Sequence, residues 1–199
     1  MTPLHTSKQD VRRFVQAKRD WISNQLARHE TLSLQKELAR GASLHFLGAS
    51  LDIKAVIGPR NLCEQRDNVL YVVSRQSEPG KDYLETRASH WLREQAGEML
   101  PQKLQFLSSQ TGLSGKGLQI KSYRARWGSC RHDGVIQLNW KLIMAPSEVI
   151  DYVLVHELSH LKHFNHSAAF WALVDQHCPE YKQRRQWLKQ HGRLLITRA

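Results

Sequence analysis

His156, Glu157 and His160 are the residues of this 199-residue chain best spaced to do chemistry together. On an α-helix, two imidazoles four residues apart stand roughly 40° apart around the axis and about 6 Å apart along it, so both reach one tetrahedral metal ion. Glu157 flanks that face. A carboxylate there is placed to take a proton from a water molecule on the metal rather than to bind the metal, the division of labour in the His-Glu-x-x-His (HExxH) pattern of zinc hydrolysis. The third ligand has two nearby candidates. If the helix runs on, His163 keeps to the same face, but its Cα lies about 7.5 Å beyond the midpoint of the first pair, more than an imidazole with a metal bond of roughly 2 Å spans. His166 closes the site only if the chain turns back just before it. Asn165 suits such a turn, because asparagine tolerates the left-handed conformation that ends helices, and Ser167 can cap the helix that follows. The expected ligands are therefore His156, His160 and His166, with His163 beside the cleft or behind a ligand.

Chance is the first rival to any short motif. With the 11 histidines of this chain, the spacing arises at random with a probability of about 0.03, and one further fixed histidine lowers that to about 0.002. Context argues the same way. Residues 148–161 carry Val149, Ile150, Tyr152, Val153, Leu154, Val155, Leu158 and Leu161, apolar nearly all round, which reads as a helix buried in a core. A glutamate and two histidines inside such a helix are costly without partners, and a metal supplies them. Histidines merely hydrogen-bonded in the core are the competing reading.

The elements that must hold this helix fit a soluble globular protein, with hydrophobic residues at 41% and charged residues at 24%. The length allows one sizeable core or two small ones. It reads as a single domain over residues 1–199, with an N-terminal helix and β-hairpin part, 1–80, and a catalytic part, 81–199. No stretch approaches the roughly 18 consecutive apolar residues of a membrane span, and residues 1–10 lack the apolar run of a secretory signal. No membrane association and a cytoplasmic location are the expectation. Cys63, Cys130 and Cys178 are odd in number and far apart, which speaks against a disulfide framework and against a cysteine-rich zinc site. The net charge of +11 is more pointed. Lys8, Arg12, Arg13, Lys18 and Arg19 near the start, and Lys182, Arg184, Arg185, Lys189 and Arg193 near the end, attract polyanions if they share a face. Solvated faces of amphipathic helices are the plainer reading, and nucleic-acid association through a basic surface the bolder one.

Along the chain, residues 8–28 show a one-sided helix with Val11, Phe14, Val15, Trp21, Ile22 and Leu26 inward, and residues 31–40 a short helix or loop closed by Gly41. Extended runs follow at 44–47, 51–57 and 70–73, punctuated by Gly48, Gly58-Pro59 and Asp67-Asn68 as β-hairpins are. After a loop at Pro79-Gly80, residues 81–100 return to helix, and Pro101 is expected to start a second helix through Leu113. Residues 118–127 alternate loosely, Asp133-Gly134 offers a turn, and residues 135–140 complete a hairpin. Ser147 is the expected N-cap of the HExxH helix. Residues 167–176 form another helix with Phe170, Trp171 and Val174 inward; Pro179 opens the last helix, which Gly192 is expected to end.

The run from Tyr123 to Cys130 is the second unusual stretch. A strand edge beside a metal-bearing helix can pair with an extended substrate through backbone hydrogen bonds. Arg126, Trp127, Gly128 and Ser129 are therefore cleft candidates beside His163: Gly128 would admit another backbone, and Trp127 would wall the cleft unless it is simply a buried tryptophan beside a glycine bulge. Cys130 reads as a small buried residue rather than a nucleophile.

Taken together, Arg126-Trp127-Gly128-Ser129-Cys130, Leu138-Asn139, Pro146, Tyr152-Val153, His156 to His160, Asn165-His166-Ser167 and Phe170-Trp171 strongly resemble the YgjP-like metallopeptidases, relatives of the WLM and SprT-like families. The resemblance is sharp over residues 124–171 and looser back to Arg19-Asp20-Trp21-Ile22. It implies a zincin-like α+β fold, with helices packed on a small mostly antiparallel sheet. It also implies one zinc ion on His156, His160 and His166, Glu157 as catalytic acid and base, and a protein or peptide substrate. SprT-like relatives are associated with DNA-bound protein substrates, in keeping with the basic charge. Family members often carry a β-hairpin upstream of the first helix. This chain begins at that helix, so a sheet short of strands, or an internal start, is expected. The histidine spacing also equals that of metzincins, but His163 replaces their glycine and no methionine follows His166 to make their turn, which rules that label out. A site completed by Glu180 from a later helix remains an alternative.

The expected activity is zinc-dependent peptide hydrolysis with Glu157 as general base, and His163, Tyr181 and Arg126 are candidates to stabilise the oxyanion. Two rivals differ in class. One is a basic DNA-associated binding module whose structural zinc is closed by a fourth ligand such as His163 or Glu180, and the other a zinc hydrolase of non-peptide amides. None of these residues bears on oligomeric state.

Overall fold

The computed structural model describes residues 43–197, so the elements expected over residues 8–28 and 31–40 lie outside the described residues. Strands β1 (Ser43–Phe46) and β2 (Ala49–Ile57) form a hairpin closed by Leu47 and Gly48. Both turn residues have positive φ, 49° and 84°, as a tight turn matching the strand twist requires. The hairpin is also fastened to the second half of the chain. The Leu47 and Gly48 amides donate to the Ile143 and Met144 carbonyls, and a Cβ on Gly48 would lie 2.9 Å from Pro146 Cγ. Strands β3 (Leu62–Arg66) and β4 (Val69–Ser74) make a second hairpin through Asp67-Asn68, and β4 pairs in parallel with β2, giving the order β1-β2-β4-β3. Leu51, Ile53 and Ala55 of β2 are buried at every second residue, as are Leu70 and Val72 of β4, so this sheet presents one apolar face to the core.

Helix α1 (Lys81–Thr111) covers that face and runs unbroken through Pro101, where a break was expected. Leu84, Ala88, Trp91, Leu92, Ala96, Leu100 and Leu104 are buried along it. This stripe continues across the proline, and its burial outweighs the roughly 3 kcal/mol that an interior proline costs. Gly112, with φ 68°, ends the helix in the left-handed conformation.

The second sheet is β5 (Gly117–Lys121), β6 (Gly128–Cys130) and β7 (Val135–Asn139), in the order β5-β7-β6. Its hairpin is β6–β7, turned at Gly134, and β5 lies parallel to β7. Residues 122–127, expected to continue the extended run, leave the sheet as a loop. Trp140 begins a fully buried 3₁₀ helix, Trp140–Met144, rather than ending a strand. Helix α2 (Ser147–Ser159) follows. Its N-cap is Pro146, and Ser147 is its first residue without a side-chain cap, contrary to the expected capping. Ser167 does cap α3 (Ala168–His177), its Oγ accepting from the Phe170 amide at 3.4 Å. Helix α4 (Tyr181–Thr197) continues through Gly192 instead of ending there. A Cβ at 192 would lie 3.1 Å from the Trp127 indole, so this glycine serves close packing, not termination.

The architecture is α+β, with three antiparallel strand pairings and two parallel ones spread over two small mixed sheets. Helix α2 packs against β6, α1, α3 and α4, which makes it the centre of the second half. Among the described residues no helix is long and apolar enough to cross a membrane.

Candidate metal and catalytic centre

Helix α2 stops at Ser159, earlier than the Asn165 turn proposed from sequence. The chain tightens at once: Leu161 N donates to Leu158 O, and Lys162 N and His163 N both donate to Ser159 O. Asn165 does not take the left-handed conformation, since only Leu47 and Asp67 among the described non-glycine residues have positive φ. The reversal nevertheless brings His166 back. The ring nitrogens of His156, His160 and His166 lie within 4.8 Å of one another, the one such cluster of candidate ligands among the described residues.

Their chemistry fits a metal. His156 Nε2 faces His166 Nε2 at 3.1 Å, and two nitrogens held at about 2.05 Å by one tetrahedral ion stand roughly 3.3 Å apart. His160 Nδ1 donates to the His163 carbonyl at 2.9 Å, which leaves its Nε2 lone pair for a ligand. His163 thus meets the cluster through its backbone carbonyl. Burial pushes the His156 pKa down to about 3, helped by His160, His166 and Arg185, and burial lowers His160 as well. Both rings are held neutral, the form that ligates. Three imidazoles suit zinc and the other divalent ions that take nitrogen ligands. Phe170, fully buried, supports all three rings at centroid distances of 4.9, 4.5 and 4.8 Å.

Glu157 lies next to this cluster at 5% exposure. Burial raises its pKa to about 8 against the pull of Arg126. Its Oε2 is buried without a hydrogen-bond partner. The side chain rests on Gly128, where a Cβ would lie 2.5 Å from Oε1 and 2.7 Å from Cγ. The space expected to admit another backbone is therefore taken by this carboxylate. Alternation along β6 puts Gly128 and Cys130 on the Glu157 side, where burial and then Glu157 raise the Cys130 thiol. Ser129 points the other way, to Gln137 Oε1 at 3.3 Å. Among the described residues β6 is the last strand of its sheet, so no described strand pairs with its outer edge.

The loop entering β6 is pinned from below. Asn139, fully buried, donates through Nδ2 to the carbonyls of Tyr123 at 2.9 Å and Arg126 at 3.1 Å, while its Oδ1 accepts from the Lys141 amide. The Trp127 indole lies on Gly192 of α4, half-buried, as an ordinary packed tryptophan would.

Of the residues singled out from sequence, the fold gathers His156, Glu157, His160, His166 and Gly128, and places Arg126 within electrostatic reach of Glu157. Glu180 stays out of the cluster and pairs with Arg184, which removes it as third ligand. Tyr181 stacks on Trp171 at 5.3 Å. Sequence reasoning passed over Tyr152, edge-on to His156 at 5.9 Å, and the support that Phe170 and Trp171 give the histidine rings. The signal was there for two of them: Tyr152 precedes His156 by four residues, and Phe170 follows His166 by four. Arg185, whose charge reaches His156, had none.

A carboxylate beside three convergent imidazoles, on an α+β frame, is the equipment of a metal-dependent hydrolase. The chain belongs to the YgjP-like family: the family model described as YgjP-like, metallopeptidase domain, matches residues 1–191, so the protein is a metallopeptidase. Solved structures similar to it include the metallopeptidase zymogen of Pyrococcus abyssi abylysin. That match has 24% identity and a TM-score of 0.43, and spans 47% of this chain and 96% of that one. Another is the metallopeptidase zymogen of Methanocaldococcus jannaschii jannalysin, at 17% identity and a TM-score of 0.38 over 44% of this chain and 94% of that one. No curated protein matches the chain significantly.

Proposed function

We propose that this metallopeptidase is a one-zinc peptide hydrolase whose ligands are His156, His160 and His166 and whose general base is Glu157. The observation that carries the reading is the meeting of the three rings, with two Nε2 atoms 3.1 Å apart, beside a buried carboxylate oxygen that has no partner. Bound zinc would supply Lewis acidity, acidifying a water molecule and polarising the scissile carbonyl. Glu157 takes the proton of the attacking water at Oε2 and passes it to the leaving amine. Gly128 gives the carboxylate its place, and the His163 carbonyl holds the His160 ring in its ligating tautomer. An extended peptide is received along the outer edge of β6, next to Glu157. Three protein ligands leave one tetrahedral position for chemistry, which favours catalysis over a closed structural site.

Metal content of the purified protein, wild type against His166→Ala, with casein cleavage followed in parallel, tests the reading. One equivalent of zinc and chelator-sensitive cleavage are expected for the wild type, and loss of both for the variant. Zinc retained at full stoichiometry without His166 would overturn the ligand set.

A further inference from the structure

Two exposed arginines stand beside the catalytic groups, and the hydrolysis described above uses neither. Arg126, from the loop between β5 and β6, lies with its guanidinium 4.1 Å from the centre of the Tyr123 ring, and its charge reaches Glu157. Arg185, from α4, lies 4.8 Å from the centre of the Trp171 ring, the ring that stacks on His166 at 5.5 Å. Its charge reaches His156 and Tyr152. Among the described residues Arg66, Arg131 and Arg184 each grip a carboxylate, whereas Arg126 and Arg185 pair with none. A guanidinium resting on an aromatic ring is held in place while its in-plane N–H groups stay free to bind an anion in a fork. The two elements that carry them are tied together, since Asn139 holds the Arg126 carbonyl and Trp127 seats on Gly192 of α4.

We propose that Arg126 and Arg185 form a cationic rim that selects peptides bearing carboxylates close to the scissile bond, so that the preferred substrates are acidic. This rests on the peptidase reading and adds the substrate class to it. The carboxylate can come from Asp or Glu side chains or from a free C-terminus; the chemistry of recognition is the same.

The test uses the zinc-loaded full chain and a matched peptide series, acetylated and amidated, that differs only in whether Glu, Gln or Lys flanks the central bond. A Gln peptide with a free C-terminal carboxylate next to that bond completes the series. The Glu peptide, the free-terminus peptide or both should exceed the amidated Gln peptide by about tenfold or more in kcat/KM, the effect of one charge-assisted hydrogen bond. The preference should shrink as salt rises. Arg126→Ala and Arg185→Ala should bring the ratio of anionic to neutral turnover towards one, Arg→Lys at either position should retain part of it, and Arg126→Glu or Arg185→Glu should favour the Lys peptide. A ratio measured within one variant does not depend on how much of it is folded. Equal cleavage of the Glu, Gln and free-terminus peptides by the wild type overturns the rim and leaves the peptidase reading standing, as does a preference that both charge reversals leave intact. No cleavage of any peptide, nor of casein, removes the peptidase reading and the rim with it.

Discussion

In the β1–β4 sheet the buried side chains are Leu44, Phe46, Leu51, Ile53, Ala55, Leu70 and Val72, with Ser74 the one polar exception; between β7 and the end of α2, Gln137, Asn139, Lys141, Glu157 and Ser159 are all buried. The first sheet is a packing surface, and the stretch from β7 through α2 is wired. Gln137 accepts from Tyr123 at 2.9 Å and donates to Gln119 at 2.8 Å, Ser159 donates to the Val155 carbonyl, and Asn139 binds the Tyr123–Arg126 loop. Satisfied polar groups of this kind fix geometry. Three buried polar atoms of this stretch lack a partner, Trp140 Nε1, His156 Nδ1 and Glu157 Oε2, and Glu157 is the one acid among them, the type of group whose shifted protonation serves the proposed chemistry.

The sharpest way to test the contrast is to neutralise Glu157. Glu157→Gln keeps shape and metal but should cut hydrolysis by about 10²- to 10⁴-fold. Casein cleavage alongside zinc analysis reads this, and undiminished turnover would take Glu157 out of the mechanism. Next, Gly128→Ala should lower activity by about 10²-fold by displacing the carboxylate. Gly117→Ala, in the same sheet but with nothing within 4 Å of the added Cβ, should leave rates within a factor of two or so. Assaying the two variants together separates a site effect from a sheet effect.

A third comparison sets the two sheets against each other. Leu70→Ala should cost about 2–5 kcal/mol of stability in urea unfolding and leave kcat/KM per folded molecule unchanged. Asn139→Ala, which leaves two loop carbonyls and the Lys141 amide short of a partner, should cost about 1–3 kcal/mol and also lower kcat/KM. Equal activity per folded molecule in both would mean that the wiring serves stability alone. The smallest effect is in pH. In metal-free protein the Glu157 pKa is raised from 4.5 to about 8, so the folded state holds a proton that the unfolded state releases, and the stability this brings below pH 4.5 fades as pH climbs through 8. His156, lowered from 6.5 to about 3, acts oppositely, its contribution present above pH 6.5 and lost as pH falls through 3. Melting curves of metal-free wild type and Glu157→Gln should therefore diverge as pH rises from 5 to 8, with the wild type falling behind.

What the sequence disclosed was local. The HExxH pair, the return of His166 and the Ser167 cap all follow from spacings of a few residues, where helix geometry is stiff enough to calculate. The route between them was misread: the reversal begins at His160 because α2 runs out at Ser159, and Asn165 plays no special conformational part. Long-range partners were invisible. Gly128 and Gly192 looked like a cleft opening and a helix stop, but their neighbours are Glu157 and Trp127, 29 and 65 residues away in sequence. Pro101 broke a helix on paper, and the tertiary core overrode it. The 3₁₀ turn and the β3 strand, Leu62-Cys63-Glu64-Gln65-Arg66, carry no periodicity to read.

β6 spans only three residues and, among the described strands, ends its sheet. An edge proposed to receive a guest chain is equally open to the same edge of a sister molecule, and long edges of that kind zip proteins into fibrils. Three residues offer too few rungs for such self-templating, so the brevity of this strand is a safeguard: adding residues of strong β propensity before Gly128 would turn a receptive lip into a nucleus for aggregation.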